Sequence, residues 1–332
     1  MSLALMEEKA AVLDRFSLIE KQAVFLSLVA HYSGYFTSDQ YQRFSGTTQQ
    51  NASVFIDKLS SSKLIRTYRY ENGKLLCHLH SRPIYEALDI ENNRHRRLHE
   101  IIYIKSKLMG LDFILEHLEL NFLATEEDRV SFFSDKGITL ESLPVKTYQS
   151  PTSNKKTKRF FVDKYPIFTA GAGGGFVVTF CYIDPVMYIT GRHFRTHLEQ
   201  YRKLFQGLQN FRLLYISHNE KNIQNGGKIF QDFSGTLLKG GLVSTEKISP
   251  EQMDYFQIKR DIELEAYEKI TGERAGRYRK YLEKYAGNHV ENLYQKWLEN
   301  GTKNESTGAS QHGYFDSVLL PNRYRFLGGN HV

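Results

Sequence analysis

The stretch Phe36–His80, FTSDQYQRFSGTTQQNASVFIDKLSSSKLIRTYRYENGKLLCHLH, decides how this chain is read. Thr37 with Gln40 opens a short helix whose apolar positions are Tyr41 and Phe44, and Gly46 makes the turn that ends it. Thr47 with Gln50 reads as another capping box. Ala52, Phe55, Ile56 and Leu59 then recur at i, i+3, i+4 and i+7, one face of a longer helix. Leu64–Tyr70 and Leu75–His80 flank Glu71-Asn72-Gly73-Lys74. Asn-Gly is a strong hairpin signal because both central positions of the turn need positive φ. Upstream, Ser17 with Glu20 predicts a helix start, with Leu18, Phe25, Leu28, Val29 and Tyr32 on one face and Gly34 at its end. The order is helix, short helix, turn, helix, hairpin.

With the buried face of the third helix assigned, Gln50, Ser53 and Val54 point outward, flanked by Asn51 and Lys58, while Thr48 and Gln49 sit where free backbone N–H groups suit a phosphate. Arg66, Arg69 and Lys74 lie on the hairpin. Over residues 16–90 this order resembles the winged helix-turn-helix superfamily. The resemblance implies double-stranded DNA as partner, with the third helix in the major groove and the hairpin along the phosphate backbone. Thr48, Gln49, Gln50, Asn51, Ser53, Lys58, Arg66, Arg69 and Lys74 are then the candidate DNA contacts. Asp57 also faces outward, and its carboxylate repels phosphate unless it meets a cytosine or an arginine. The alternative for the same segment is a protein-docking module of a larger assembly.

The rest of the chain gives a fold class and little chemistry. Its 332 residues are 41% hydrophobic, enough for two domains, with a net charge of +7. The pI is about 9.1 and the mean hydropathy is -0.46. This balance favours an anionic partner without requiring one. Cys77 and Cys181 stand far apart, which argues against a disulfide framework. Neither a membrane span nor a signal peptide is read, so the expectation is a cytoplasmic, nucleoid-associated protein without a membrane partner. The winged-helix resemblance, and not this chain's own residues, adds a homodimer or larger assembly to the expectation.

The expected class is α+β or α/β. Residues 1–15 form a lead-in, 16–92 the winged helix-turn-helix, 93–120 a connecting helix, 121–245 an α/β domain, 246–300 a helical extension and 301–332 a linker with a C-terminal tail. Within the α/β part, strands are expected at 129–136, 160–168, 176–183 and 211–217, helices at 191–208 and 222–233, and a polar basic loop with Lys155, Lys156, Lys158 and Arg159 at 146–159. The basic run His95, Arg96, Arg97, His99, the strand FVVTFCYID, a helix with Tyr201 and the strand FRLLYIS resemble the replication-relaxation proteins of plasmids and mobile elements over about residues 16–220. In those proteins a winged helix precedes a domain similar to restriction endonucleases, which implies DNA binding in replication or transfer control.

That likeness prompts a test for catalysis. A nuclease of this type needs an acid on one strand and acid-x-Lys on the next to hold Mg²⁺. Asp163 is read on one strand, Asp184 at the end of the next and Glu199 on the following helix, but Val186 stands where the lysine belongs. A metal-dependent nuclease is therefore the lesser expectation, and Mg²⁺ is expected only under it; otherwise no cofactor is expected. His78-x-His80 matches a metal pair of tyrosine-dependent nickases, but the hairpin already accounts for it. His95 and His99 read as a solvated basic face before a zinc site. Gly171–Gly175 lacks the Gly-Lys-Ser/Thr of a P-loop and reads as a hairpin loop.

Overall fold

The computed structural model describes residues 7–8, 10–70, 73–149, 156–172, 175–186, 191–208, 210–240, 250–263, 271–285, 290–291, 294 and 313–328. Glu71-Asn72 of the hairpin turn, Lys155, Gly173-Gly174 and residues 301–312 of the linker expected at 301–313 lie outside these residues, while Gly313 opens a strand. The protein is of mixed α+β class and divides into two compact units, Met1–Leu238 with His312–Val332, and Lys239–Gln311. The stretches expected as 16–92, 93–120 and 121–245 share the first unit, apart from the last seven residues of the third.

In the first unit, helix α1 (Glu20–Tyr32) starts two residues later than a Ser17 cap requires. Ser17 sits at φ 57 and closes a preceding 3-10 turn with its backbone N–H on Asp14 O, so the Ser17–Glu20 box does not form. Ala23 to Tyr32 are all buried, so α1 is a central helix and not a surface one. Gly34 ends it at φ 76, and a Cβ there would lie 2.1 Å from the His95 carbonyl oxygen, so only glycine admits this close approach. After strand β1 (Tyr35–Thr37), helix α2 (Ser38–Ser45) carries the expected box: Thr37 Oγ1 accepts from Gln40 N and Gln40 Oε1 accepts from Thr37 N. Gly46 makes the turn at φ 69. Helix α3 (Gln49–Ser61) is capped by Thr48, not Thr47, because the Thr48 hydroxyl accepts from Asn51 N at 3.3 Å. Strands β2 (Ile65–Arg69) and β3 (Leu75–Leu79) form the hairpin, and β1 pairs along the other edge of β3. A short helix α4 (Arg82–Ala87) follows.

The expected 93–120 helix is corrected at its start. Arg94–Arg96 form a 3-10 turn capped by Asn93, and helix α5 runs only over Ile101–Glu116. His95 is buried at 1% exposure beneath Gly34, while Arg96 and His99 are partly buried and Arg97 is exposed, so the basic run is not one solvated helix face. The expected strand at 129–136 is helix α6 (Glu126–Asp135), after the two-residue β4 (Asn121–Phe122). Thr125 and Asp128 form a reciprocal capping box that starts the helix despite the run Val130-Ser131-Phe132-Phe133. The expected basic loop is partly β structure: β5 (Val145–Gln149) pairs antiparallel with β6 (Lys156–Phe160). The expected strand at 160–168 breaks, because Phe161 at φ 49 and Lys164 at φ 55 turn the backbone between β6 and β7 (Ile167–Ala172).

Strand β8 (Gly175–Asp184), helix α7 (Arg192–Gly207), strand β9 (Phe211–Ser217), helix α8 (Glu220–Gly240) and strand β10 (Gly313–Leu319) complete the unit. The main sheet has the order β10-β9-β8-β7-β4; β8, β9 and β10 are parallel, and β7 alone runs the other way, pairing antiparallel with both β8 and β4. Period-two alternation buries β8 and β9 on both faces. Cys181, Ile183, Leu214 and Ile216 join α5 and the N-terminal module of residues 16–92, α1 included, in one core, while Phe180, Tyr182, Leu213 and Tyr215 join α6, α7 and α8 in another. Helix α5 lies close on β8: a Cβ at Gly110 would stand 2.8 Å from the Ile183 Cδ1. Behind β10, the tail docks through Tyr324, whose hydroxyl donates to the buried Asp112 of α5 at 2.6 Å and accepts from Gln40 Nε2 of α2 at 3.0 Å. Gln40 Nε2 also donates to Asp112 at 3.0 Å, and Arg43 pairs with the same carboxylate.

The second unit contains α9 (Pro250–Glu263), which begins at the Pro250 expected from Ser249-Pro250, and α10 (Gly272–Lys284), capped by Thr271. Tyr255, Phe256 and Tyr294 are its buried apolar centre. Arg277–Asp254 at 3.0 Å and Arg274–Asp261 at 2.9 Å join the two helices.

Removing the shared carboxylate leaves Gln40, Tyr324 and Arg43 without their common acceptor. Asp112→Ala is expected to cost roughly 3 kcal/mol in urea unfolding; a loss below about 1 kcal/mol contradicts this role.

Candidate nucleic-acid interface

The period of α3 sets what it displays. Ala52, Phe55, Ile56 and Leu59 are buried, and Gln49, Gln50, Asn51, Ser53, Val54, Asp57 and Lys58 are exposed, Val54 by 63%. Aromatic packing holds the helix from behind: Tyr41 of α2 lies 4.2 Å from Phe55 between ring centres, and Phe25 of α1 lies 5.1 Å from Tyr41.

A groove of about 370 Å³ runs between α3 and the hairpin. Gln49, Ser53 and Asp57 form one wall, Arg69, Gly73 and Lys74 the other. Its cations differ in availability. Lys74 pairs with Asp39 at 3.1 Å across the groove, a half-exposed bridge worth little. Arg43 and Arg323 pair with Asp112 and Glu116. Arg69 pairs with no carboxylate among the described residues. Lys58 points elsewhere, its ammonium donating to the Ser17 carbonyl.

The structure brings Gln49, Ser53, Arg69 and Lys74 to one groove, with Thr48, Gln50 and Asn51 exposed at the start of the same helix. Arg66 is different. It lies three residues before Arg69, so strand alternation turns it to the opposite face of the hairpin, across from His78 in register. Arg323 and Phe326 were missed as groove residues; Phe326 packs on Tyr70 of the hairpin at 5.3 Å. No local pattern links them to the groove, because they arrive from the far end of the chain.

The acids weighed for catalysis form two separate buried contacts and one surface pair. Asp163 lies in the turn before β7, not on a strand; its Oδ1 accepts from Tyr201 OH at 3.0 Å and its Oδ2 meets His197 Nδ1 at 2.9 Å. Burial pushes its pKa up, but the His197 hydrogen bond and charge, with Arg129, hold it below the ordinary carboxylate value. Asp184 accepts from Tyr215 OH at 2.6 Å, Asn222 Nδ2 at 2.9 Å and the backbone N–H of Val186 at 3.0 Å. Glu199 is exposed and grips Arg202 through two bonds of 2.7 Å. Among the described residues no group of His, Cys, Asp and Glu is arranged to hold a metal ion, the set His78, His80, His95, His99 and Cys77 included. No described helix is long and apolar enough to cross a membrane.

No family model, curated protein or solved structure matches this chain.

The hairpin rests on an imidazole that resists protonation. His78 is 3% exposed and stacks on Tyr35 at 4.4 Å. Burial, then the charge of His80, pushes its pKa down to about 4. The folded pKa lies below the unfolded value of about 6.5, so the neutral ring's contribution is complete above pH 6.5 and is lost as pH falls toward 4. His78 alone is expected to lower stability by about 2 kcal/mol between pH 7 and pH 5. Urea midpoints at both pH values check this. His78→Phe, which keeps the stacking ring, should flatten the slope; an unchanged slope contradicts the assignment.

Proposed function

We propose that this chain is a double-stranded-DNA-binding regulator of transcription, replication or mobilisation of a mobile element, and that residues 16–92 act as a winged helix-turn-helix. The observation that carries the reading is the exposed polar start of α3, Thr48 to Ser53, beside a groove whose opposite wall presents Arg69 and Lys74. In this reading α3 lies in the major groove, with Gln50 and Asn51 reaching base edges and the N–H groups behind the Thr48 cap meeting a phosphate. Arg69 and Lys74 follow the backbone of the same duplex. Lys74 exchanges Asp39 for phosphate at small cost, because its bridge is half-exposed. Asp57 limits the choice of base facing it and favours a cytosine amino group.

Support also comes from how α3 is held. Its buried face is fixed by Tyr41 and Phe25, so its polar face is presented without rearrangement of the helix. The net charge of +7 agrees with a polyanionic partner.

Fluorescence anisotropy with long duplex DNA tests the proposal. Binding is expected at 50 mM salt and to weaken steeply toward 200 mM. Arg69→Ala should weaken all sequences alike and flatten the logarithmic salt slope by about 1, whereas Gln50→Ala should narrow the difference between preferred and random sequence. Absence of binding at 50 mM salt overturns the proposal.

A further inference from the structure

A second cavity, of about 300 Å³, opens where the chain leaves the N-terminal module, beside the start of α6 and the turn between β6 and β7. Its depths are basic and its rim acidic. Arg129, 3% exposed, lies in the wall, with its guanidinium donating to the carbonyls of Leu123 at 3.0 Å and Tyr165 at 2.9 Å. Lys164 projects from the turn with its ammonium 2.6 Å from Asn93 Oδ1. Behind His95, which also lines the cavity, Lys107 places its ammonium 2.7 Å from the His95 Nδ1. Among the described residues neither lysine forms an ion pair with a carboxylate.

Such a group of partly buried cations is costly unless an anion joins it. The neighbours confirm the strain: burial first, then each lysine's cationic neighbours, pull Lys107 down to about 7 and Lys164 down to about 8. Glu126 is a counter-charge felt by Lys164, but its oxygens are held by Phe160 N at 2.9 Å and, more loosely, by Arg159 at 3.8 Å. Asp89, Glu91 and Glu127 are exposed at the rim. Carboxylates at the rim repel a large polyanion that spans it more than a small anion seated below it. The first turn of α6 already carries Glu126, Glu127 and Asp128, so the lysine and not the helix end is the anion's partner.

We propose that this cavity is a binding site for a small phosphate-bearing molecule, with its phosphate seated on Lys164 beside Arg129. The site stands apart from the α3 groove and does not depend on the DNA-binding reading. Bound phosphate would add a link between the turn before β7, which already meets the start of α6 through Arg129 and Glu126, and the segment around Asn93, which Lys164 joins to that turn.

The test is thermal unfolding of the full chain with inorganic phosphate, or with a nucleoside triphosphate, against chloride at equal ionic strength, all without DNA. Phosphate at ten times its Kd is expected to raise Tm by about 3 °C. Lys164→Met should leave a folded protein, since it removes a poorly solvated charge, and should abolish the shift. Lys156→Met, on the exposed β6, should keep it. A larger shift with the nucleotide than with phosphate at equal concentration identifies the fuller ligand; equal shifts identify free phosphate. No shift, an equal shift in chloride, or a shift that survives Lys164→Met overturns the proposal.

Discussion

One buried carboxylate organises the N-terminal half of the first unit. Asp112 of α5 gathers Gln40 and Arg43 from α2 and Tyr324 from the tail, with Arg323 at 3.7 Å. A buried charge is tolerated only when several donors surround it, so the segments that supply them are fixed together. Gln40 has two functions here: its Oε1 closes the capping box that begins α2, and its Nε2 anchors that helix to α5. Since α2 and the Gly46 turn set the position of α3, the direction of the exposed helix traces back to this contact. β10 reaches the same point from the other side, pairing with β9 before Tyr324 enters the network.

The acids of the sheet region hold structure in a similar way. Asp163 fastens the turn before β7 to α7 through His197 and Tyr201, and Asp184 fastens the end of β8 to β9 and α8 through Tyr215 and Asn222. Both Asp163 oxygens are engaged by side chains of α7, and Asp184 has one oxygen engaged by side chains of β9 and α8 and the other by the Val186 backbone N–H. The aromatic rings around them, Tyr165, Tyr182 and Phe194 among them, pack at 4.6 to 5.6 Å between centres and close the region off.

Much of the fold was legible where a local period or turn residue decides the structure. The 3.6-residue spacing of Ala52 to Leu59 gave the buried face of α3, Gly34 and Gly46 marked real left-handed positions, and FRLLYIS and FVVTFCYID are the two central strands. The misreadings have distinct causes. Val130-Ser131-Phe132-Phe133 looks like a strand by composition, but the Thr125–Asp128 cap fixes a helix and Phe133 finds its core through helical packing. Ser17 and Thr47 have the right chemistry for caps, yet neighbours two residues and one residue further on serve instead, Ile19 and Thr48. His95 looked solvated because the space under Gly34 is a property of tertiary structure. In the candidate groove, α3 was readable residue by residue, whereas the opposite facing of Arg66 depends on strand register and the contribution of Arg323 and Phe326 on chain ends meeting.

In the proposed function, the exposed start of α3 and the Arg69 side of the hairpin together form the DNA-contacting surface. Hydrogen–deuterium exchange of the full chain, with and without duplex DNA at low salt, measures this directly. Slowed exchange is expected over Gln49–Lys58 and the β2–β3 hairpin on DNA binding, with α7 and α8 unchanged. Protection confined to α7, α8 or the second unit, with α3 unaffected, would contradict it.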